Sequence, residues 1–271
     1  MGAGPLHLLK SGLAVRLEEE GHHVTIRAVE LPPGFRATEI ASAFELGAEL
    51  ARGVAEALQT GAFPLVLSGN CGPAALGCVG GLQSPTKIFW FDAHGDFNTP
   101  ETTRSGFLDG MALAAVTGRC WSGLARAIPG FRSVVESDVT AIGARDLDED
   151  EAAALQASDV RRVNVHSLRT DLPKTLANQR CIDDWPAYVH LDLDVLDPVE
   201  GRMNEFAARD GLSLEDLQWC LAQVARHQPI RAASVTSFDP ASDVTGRAAT
   251  SAVGVILALV AAVAASSRSP T

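Results

Sequence analysis

Positive charge and cysteine are both scarce in this sequence. Its 22 basic residues stand against 33 acidic ones, which gives a formal net charge of −11 at pH 7. A charge of this sign repels nucleic acid and anionic membranes, and no local cluster of Lys and Arg offsets it. The five cysteines are scattered, odd in number and without a C-x-x-C pair or zinc-type spacing. We therefore expect a cytoplasmic protein without a nucleic-acid or membrane partner.

A secretion signal is also lacking, and one long uncharged stretch has to be explained. Residues 1–13 do not have the basic-then-apolar layout of a signal peptide. Residues 248–267 carry no charge and approach the length of a membrane span. Their many alanines and serines favour a helix packed closely on a sheet, and no second span accompanies them. The sequence therefore predicts a buried carboxyl-terminal helix.

Short β-branched runs alternate with apolar-periodic segments along the whole chain. The predicted strands are residues 23–29, 63–67, 87–92, 140–142, 160–165, 188–192 and 230–236. The predicted helices are residues 5–20, 41–60, 73–82, 148–157, 214–227 and 246–265. This alternation indicates a mostly parallel sheet covered by helices on both faces, with ligands at the carboxyl ends of the strands. Because no repeat or long linker divides the chain, we expect a single domain over residues 1–271.

Two of the predicted strands run directly into side chains of the metal-ligand type. In an extended segment, alternate residues face the same side, so acids two positions apart can converge on one point. An isolated Asp-x-Asp is usually a solvated turn, but two such clusters directly after apolar strands are hard to explain in that way. The five candidate ligands are Asp92, His94, Asp96, Asp192 and Asp194.

These five side chains indicate a divalent cation. Burying several carboxylates together without one costs several kcal/mol for each charge. A carboxylate-rich set with one imidazole suits Mn²⁺ better than zinc, which favours thiolate sites. A pair of ions is plausible, because two ions that share a water lower its pKa towards neutrality. Two nearby residues have simpler interpretations: we expect Asp197 to cap a turn and His190 to be a core histidine.

The sequence resembles the ureohydrolase family, which includes arginases, agmatinases and formimidoylglutamases. Residues 92–111 are similar to the first metal motif and substrate loop of the family, and residues 190–198 to its second metal motif. Residues 142–151 and 237–243 match further family segments, so that the resemblance covers nearly the whole chain. It implies a three-layer α/β/α sandwich, a site for two Mn²⁺ ions, hydrolysis of a linear C–N bond in a guanidine or amidine, and a homo-trimer or homo-hexamer.

The resemblance also assigns roles to the candidate ligands. It implies that Asp92 and Asp192 bridge both ions, that Asp96 binds one ion, and that His94 and Asp194 bind the other.

Four further positions resemble those that bind an amino-acid-like substrate in arginases. Asn98, Thr103 and Ser105 correspond to residues that hold an α-carboxylate, and Asp148 to one that holds an α-amino group. A local interpretation is equally plausible for each of them. Asn, Ser and Thr in a turn-rich loop often bind neighbouring backbone groups, and Asp148 can cap the helix that follows it.

Three residues depart from the family pattern. Cys71 replaces a histidine ligand, as in hydroxyarginine-hydrolysing enzymes. It is either a soft ligand that leaves one of the two metal sites weak, empty or filled by another ion, or a small buried cysteine. Asp109 replaces a loop histidine and is a candidate proton shuttle. Ser237 replaces a glutamate that binds the guanidinium, which removes charge-assisted hydrogen bonds worth roughly 1.5–3 kcal/mol each unless Asp239 or Asp243 reaches in.

These departures favour a less basic substrate than arginine, such as an N-hydroxyguanidine or a formimidoyl group on an amino-acid-like molecule. The alternative is a catalytically inactive or ligand-sensing member of the family. Residues 1–5 resemble the segment that follows the first strand of the family, so we also expect that first strand to be missing from residues 1–271.

Overall fold

The computed structural model describes residues 1–178 and 185–266, and its centre is a parallel β-sheet. Its strands are β1 (Leu65–Leu67), β2 (Lys87–Phe91), β3 (Val139–Ile142), β4 (Arg161–Val163), β5 (Ala187–Asp192) and β6 (Ile230–Thr236). Their order across the sheet is β1-β6-β5-β2-β3-β4, and each neighbouring pair is parallel. The carboxyl ends of all six strands therefore lie along one edge of the sheet.

Helices cover both faces of the sheet and give the fold three layers. They are α1 (Gly4–Lys10), α2 (Leu13–Glu19), α3 (Glu39–Gln59), α4 (Cys71–Leu82), α5 (Ala112–Thr117), α6 (Ser122–Ala125), α7 (Glu149–Gln156), α8 (Leu168–Asn178), α9 (Leu214–His227) and α10 (Arg247–Ser266). Apolar residues of α1, α2, α8, α9 and α10 pack on one face, and those of α3, α4, α5 and α7 pack on the other. Every residue of β2, β3 and β5 is buried, as expected of strands between two helical layers. The predicted α/β/α sandwich is confirmed.

Helix α10 is long and apolar enough to cross a membrane by length and composition, with a mean hydropathy of 2.3. Half of its most apolar window is buried inside the protein. Ile256 and Leu259 belong to the core, and the helix contacts α9, α1 and α2. Packing in the sandwich therefore accounts for its apolar character, in agreement with the prediction of a buried carboxyl-terminal helix.

The strand predicted at residues 23–29 is not formed. This segment has no regular secondary structure, and the side chain of Ile26 is 60% exposed. Its alternating pattern is that of a strand, but a strand needs a neighbour for its backbone N–H and C=O groups. Edge strand β1 pairs with β6 and with no other strand within the described residues. The sequence predicted seven strands, and this one was wrong.

One helix prediction also needs correction, and three helices, α5, α6 and α8, were not predicted. The helix predicted at residues 5–20 is divided into α1 and α2, because the chain turns at Gly12, which has a φ of +89°. Helix α8 was not predicted, since Pro173 in its interior normally indicates a helix break. Its apolar residues are nevertheless four positions apart, and the buried ones are Leu168, Leu172 and Leu176.

Candidate metal centre

The candidate ligands converge at the carboxyl ends of two neighbouring strands. Phe91 at the end of β2 is in register with Leu191 of β5, so Asp92 and Asp192 leave the sheet side by side. Both side chains are buried, as are those of Asp96 and Asp194. The strands are buried on both faces and deliver their acids directly into this region, which is why the sequence pattern of apolar run and alternating acids locates the site.

One group of possible ligands consists of Asp92, His94 and Asp194. Their donor atoms all lie within 4.8 Å of one another. His94 Nδ1 is 3.3 Å from Asp92 Oδ1 and 3.5 Å from Asp194 Oδ2. His94 is the more exposed member of the group, so the centre opens towards solvent on its side.

A second group brings Cys71 into the centre. Donor atoms of Cys71, Asp92, His190 and Asp192 also lie within 4.8 Å of one another. Cys71 begins α4, and its thiol donates to Asp192 Oδ2 across 3.0 Å. Burial, followed by the charge of Asp192, raises the pKa of this thiol well above its usual range, so without a cation the sulfur keeps its proton. Cys71 therefore lies where it can donate sulfur to an ion held by Asp92 and Asp192.

His190 has partners that do not require a metal. Its ring stacks on Trp90 with centroids 3.6 Å apart, and its Nδ1 is 2.9 Å from the Tyr188 hydroxyl and 3.0 Å from Ser234 Oγ. Complete burial lowers the pKa of the imidazole to about 3 and keeps it neutral. This is the arrangement expected of a core histidine.

Asp96 carries an observation that fits a cation. Its Oδ2 atom is buried and has no hydrogen-bond partner among the described residues, although a buried carboxylate oxygen normally has one. Asp96 also has a φ of +49°, an uncommon conformation for a residue other than glycine. Burial raises the pKa of Asp96 well above its usual range, and the charges of Asp92 and Asp192 raise it further. A divalent ion would satisfy the free oxygen and offset these charges, so the donor set fits a metal.

The pKa values of Asp192 and Asp194 are raised for the same reasons. Burial raises the pKa of Asp192 to about 7, and the neighbouring charge of Asp194 adds to this effect. Burial likewise raises the pKa of Asp194 to about 6. Burial alone would lower the pKa of His94. The hydrogen bond to Asp92 and the charges of Asp194 and Asp92 outweigh this effect and raise the pKa to about 10. In the absence of a metal, the acids and His94 therefore retain protons that offset their mutual repulsion.

Asp109 lies against the start of α4, beside the centre. Its carboxylate accepts from Asn70 Nδ2 and, across 3.3 Å, from the backbone N–H of Gly72. Burial raises the pKa of Asp109 to about 6, against the lowering effect of these hydrogen bonds. The acid is thus held in place close to Cys71.

The predicted substrate residues form turns in the loop of residues 98–108. Asn98 Oδ1 accepts from Thr102 Oγ1 across 2.9 Å. Thr103 Oγ1 and Ser105 Oγ accept from the backbone N–H groups of residues 106 and 107, across 3.0 and 3.1 Å. These bonds occupy oxygen lone pairs, and the hydroxyl hydrogens of Thr103 and Ser105 remain free to donate. Asp148 precedes α7 at the N-cap position but makes no capping hydrogen bond with its side chain.

Ser237 turns its side chain towards the centre. Its hydroxyl donates to Asp192 Oδ2, and its backbone is strained, with a φ of +64°. The two nearby acids are engaged elsewhere. Asp243 accepts from the first backbone N–H groups of α10, and Asp239 accepts from Ala241 and lies 3.9 Å from the amino terminus.

Sequence reasoning missed two residues that hold the ligands in place. Asn204 is fully buried and donates its amide to Asp194 Oδ2 across 3.0 Å and to the Ser237 carbonyl across 2.9 Å. Nothing in the sequence marks it, because it lies in a loop without a motif. Trp90 donates its indole N–H to Asp92 Oδ2 across 3.0 Å. Strand alternation could have found Trp90, since it precedes Asp92 by two positions.

The fold and this centre together define a parallel α/β protein with a buried, carboxylate-rich site suited to divalent cations at the ends of its strands. Residues 14–262 match the model of the arginase family. The chain is 30% identical to the arginase of Bacillus caldovelox, over 90% of this chain and 80% of that protein. It is 34% identical to the arginase of Brevibacillus brevis, over 72% of this chain and 70% of that protein.

Solved structures agree with the sequence relatives. The arginase of Bacillus cereus superposes with a TM-score of 0.84 at 29% identity, over 95% of this chain and 91% of that one. This chain belongs to the arginase family, the ureohydrolases, as its motifs indicated.

Proposed function

We propose that the protein is a Mn²⁺-dependent hydrolase of a linear C–N bond in a guanidine, N-hydroxyguanidine or formimidoyl substrate with an amino-acid-like head. The observation that supports this most strongly is the convergence of ligand-type side chains at the strand ends, where donor atoms of Asp92, His94 and Asp194 lie within 4.8 Å of one another. The Oδ2 atom of Asp96 is also buried and unpartnered among the described residues. A protein that needed the fold alone would be stabilised by removing these charges, since buried carboxylates without a counter-charge are costly. Their retention favours an enzyme over a ligand-sensing homologue.

Asp92, His94, Asp96, Asp192 and Asp194 would hold the ions, with Cys71 as a further ligand. When bound, Mn²⁺ supplies positive charge that lowers the pKa of water and stabilises negative charge on the reacting carbon's substituents. The side chains of Trp90 and Asn204 hold Asp92 and Asp194 in position through their hydrogen bonds. Asp109, held by its hydrogen bonds with Asn70 and Gly72, would carry a proton between the centre and solvent or the leaving amine.

The proposed preference for a less basic substrate rests on Ser237. Its hydroxyl is directed at Asp192 rather than at a substrate, and Asp239 and Asp243 have other partners. A guanidinium cation would thus find no carboxylate from this segment. An N-hydroxyguanidine or a formimidoyl group loses less by this absence, because it is less basic and depends less on charge-assisted hydrogen bonds.

Turnover of a small substrate panel tests the proposal. The protein, loaded with Mn²⁺, is incubated with L-arginine, Nω-hydroxy-L-arginine, agmatine and N-formimidoyl-L-glutamate, and the released urea, hydroxyurea or formamide is measured. We expect product from the hydroxylated or formimidoyl substrate at a rate at least tenfold above that from L-arginine. The variant Asp194→Ala should abolish it. Two bound ions per chain with no product from any substrate would instead support the ligand-sensing alternative.

The cytoplasmic location and the homo-trimer or homo-hexamer remain part of the proposal. The four cysteines in the described residues are buried and free, which is compatible with a reducing compartment. Sedimentation equilibrium of the purified protein determines the number of subunits directly.

A further inference from the structure

The surroundings of the centre are strongly negative. Inside it lie the four acidic ligand residues and Asp109, and the segment that leads into α7 adds Asp146, Asp148 and Glu149. Asp146 is close to the ligands, since its Oδ2 is 3.9 Å from His94 Nε2. When bound metal ions offset the charges of the ligands, Asp146, Asp148 and Glu149 still repel a substrate carboxylate unless a further cation compensates for them.

Arg145 is near the centre but has no donors to spare. Its guanidinium, which has five N–H groups, is directed at backbone carbonyl oxygens. The acceptors are those of Gly143, Asp194, Val195, Leu196, Ala208 and Arg209. Arg145 therefore fixes the loops that follow β3 and β5 and cannot also bind a ligand.

Arg104 is a second cation near this acidic segment, since it contacts Glu149. It lies in the loop of residues 98–108, between Thr103 and Ser105, and its side chain is 61% exposed. The contact that it makes is with Glu149, whose carboxylate is 3.9 Å away, too far for a hydrogen bond, and whose side chain is 91% exposed. An exposed pair at this distance contributes little to stability, so the guanidinium can exchange Glu149 for another carboxylate at small cost.

The position of this pair suits the head of an α-amino acid. Glu149 directly follows Asp148, whose side chain makes no capping hydrogen bond. The loop and α7 are held together by the hydrogen bond from the Phe97 N–H to Glu151 Oε1, 2.9 Å long. Arg104 thus contacts the start of α7 at Glu149, and the neighbouring Asp148 is a carboxylate without a capping hydrogen bond, so this region offers both charges that a zwitterion requires. Thr103 and Ser105 can add neutral donors to the same carboxylate but supply no charge.

We propose that Arg104 is the specificity-determining residue that binds the α-carboxylate of the substrate, with Asp148 binding its ammonium group and Glu149 competing for the guanidinium. This inference rests on the proposed function, because it assigns the head of the substrate of that same site. It predicts a preference for α-amino acids over the corresponding amides and decarboxylated amines.

Binding of three unreactive probes tests the inference without turnover. The probes are L-ornithine, L-ornithine amide and putrescine, which differ in the carboxylate, and their dissociation constants for the Mn²⁺-loaded protein are measured by calorimetry. The wild type should bind L-ornithine at least tenfold more tightly than the amide. Arg104→Met, which keeps the apolar stem, should weaken L-ornithine by roughly tenfold to a hundredfold, as expected for a lost charge-assisted hydrogen bond, and leave the amide unchanged.

Two further variants make the test specific. Glu149→Gln should strengthen the binding of L-ornithine several-fold when Arg104 is present, because it removes the competing carboxylate. The same substitution should have no effect in the Arg104→Met background. Arg209→Met removes the same charge from a residue that lines the cavity beside Asp146, and should leave the ratio of the two dissociation constants unchanged. The inference is wrong if Arg104→Met weakens all three probes equally, if Arg209→Met alone changes the ratio, or if the wild type does not distinguish L-ornithine from its amide. A protein that distinguishes the probes but yields no product would contradict the proposed function and retain this inference.

Discussion

At the scale of single residues, the centre depends on side chains that contact no metal themselves. Asn204 is the clearest case, because one fully buried amide connects Asp194 to the backbone of Ser237. Its Oδ1 also accepts from the N–H of Phe206 across 2.9 Å, so the amide is held on both sides. Residues that orient metal ligands in this way typically contribute 10–100-fold to metal affinity.

We therefore predict that Asn204→Ala weakens the binding of Mn²⁺ by about tenfold or more, as measured by calorimetry. The physical reason is that Asp194 Oδ2 loses a donor and that the Ser237 segment loses its connection to the ligand. Asn178→Ala, at an exposed position at the end of α8, is the matched control and should bind as the wild type does. An unchanged affinity of Asn204→Ala would show that Asp194 is oriented by the backbone alone.

The residues of the centre differ in how well the sequence predicts them. The sequence predicts Asp92, His94 and Asp96 as ligands, because they alternate at the end of an apolar strand and such a strand has few ways to orient its acids. Asn204 does not follow from any such rule, because its role depends on how a loop folds back over β5. Local periodicity specifies what a strand delivers, whereas contacts between distant loops require the fold itself.

At the scale of elements, α3 and α4 pack closely through glycines of α4. A Cβ atom on Gly77 would lie 2.4 Å from Leu50 Cβ, and one on Gly81 would lie 2.5 Å from Val54 Cβ. Both distances are shorter than carbon atoms tolerate. The two glycines therefore set the separation of α3 and α4, and α4 in turn begins with Cys71 at the centre.

Replacement of glycine by alanine should have opposite effects on stability at Gly77 in α4 and at Gly254 in α10. Gly77→Ala is predicted to lower the free energy of unfolding by about 1–3 kcal/mol through overpacking. Gly254→Ala, in α10, meets no atom within 4 Å and should raise the free energy of unfolding by about 0.5–1 kcal/mol, because alanine favours the helix. Urea denaturation of both variants measures the difference. A stabilised Gly77→Ala variant would mean that α3 can move away from α4 without loss.

Helices and strands were predicted wrongly where the local sequence pattern and the tertiary packing disagreed. Residues 23–29 have a strand pattern but pair with no strand within the described parts of the chain. In α8 the reverse holds, because burial of leucines four positions apart outweighs the cost of Pro173 in the helix. Patterns along the chain thus predict elements well when packing supports them, as in β2, β5, α9 and α10.

At the scale of the whole molecule, we expect the protons of the centre to couple the free energy of unfolding to the binding of a metal. Burial raises the pKa of Asp192 from 3.8 to about 7 and that of Asp194 from 3.8 to about 6. The pKa of His94 is raised from 6.5 to about 10. In each case the folded protein binds a proton more tightly than the unfolded chain does. Its free energy of unfolding must then fall as the pH rises through the window between the two pKa values.

For the metal-free protein we predict that the free energy of unfolding falls by on the order of a few kcal/mol between pH 5 and pH 8. The two aspartates contribute up to about pH 7, and His94 contributes above pH 6.5. Saturating Mn²⁺ should remove most of this loss, because the ions replace the protons and bind more tightly as these leave. Urea denaturation at both pH values, with a chelator and with Mn²⁺, measures the effect.

The variant Asp192→Asn, whose side chain stays neutral, separates the contribution of the centre from the repulsion of the surface charges. In the chelator, its free energy of unfolding should fall less between the two pH values than that of the wild type. If the metal-free wild type were equally stable at both pH values, the acids of the centre would have to be ionised without a cation, and the electrostatic argument for a metal would fail.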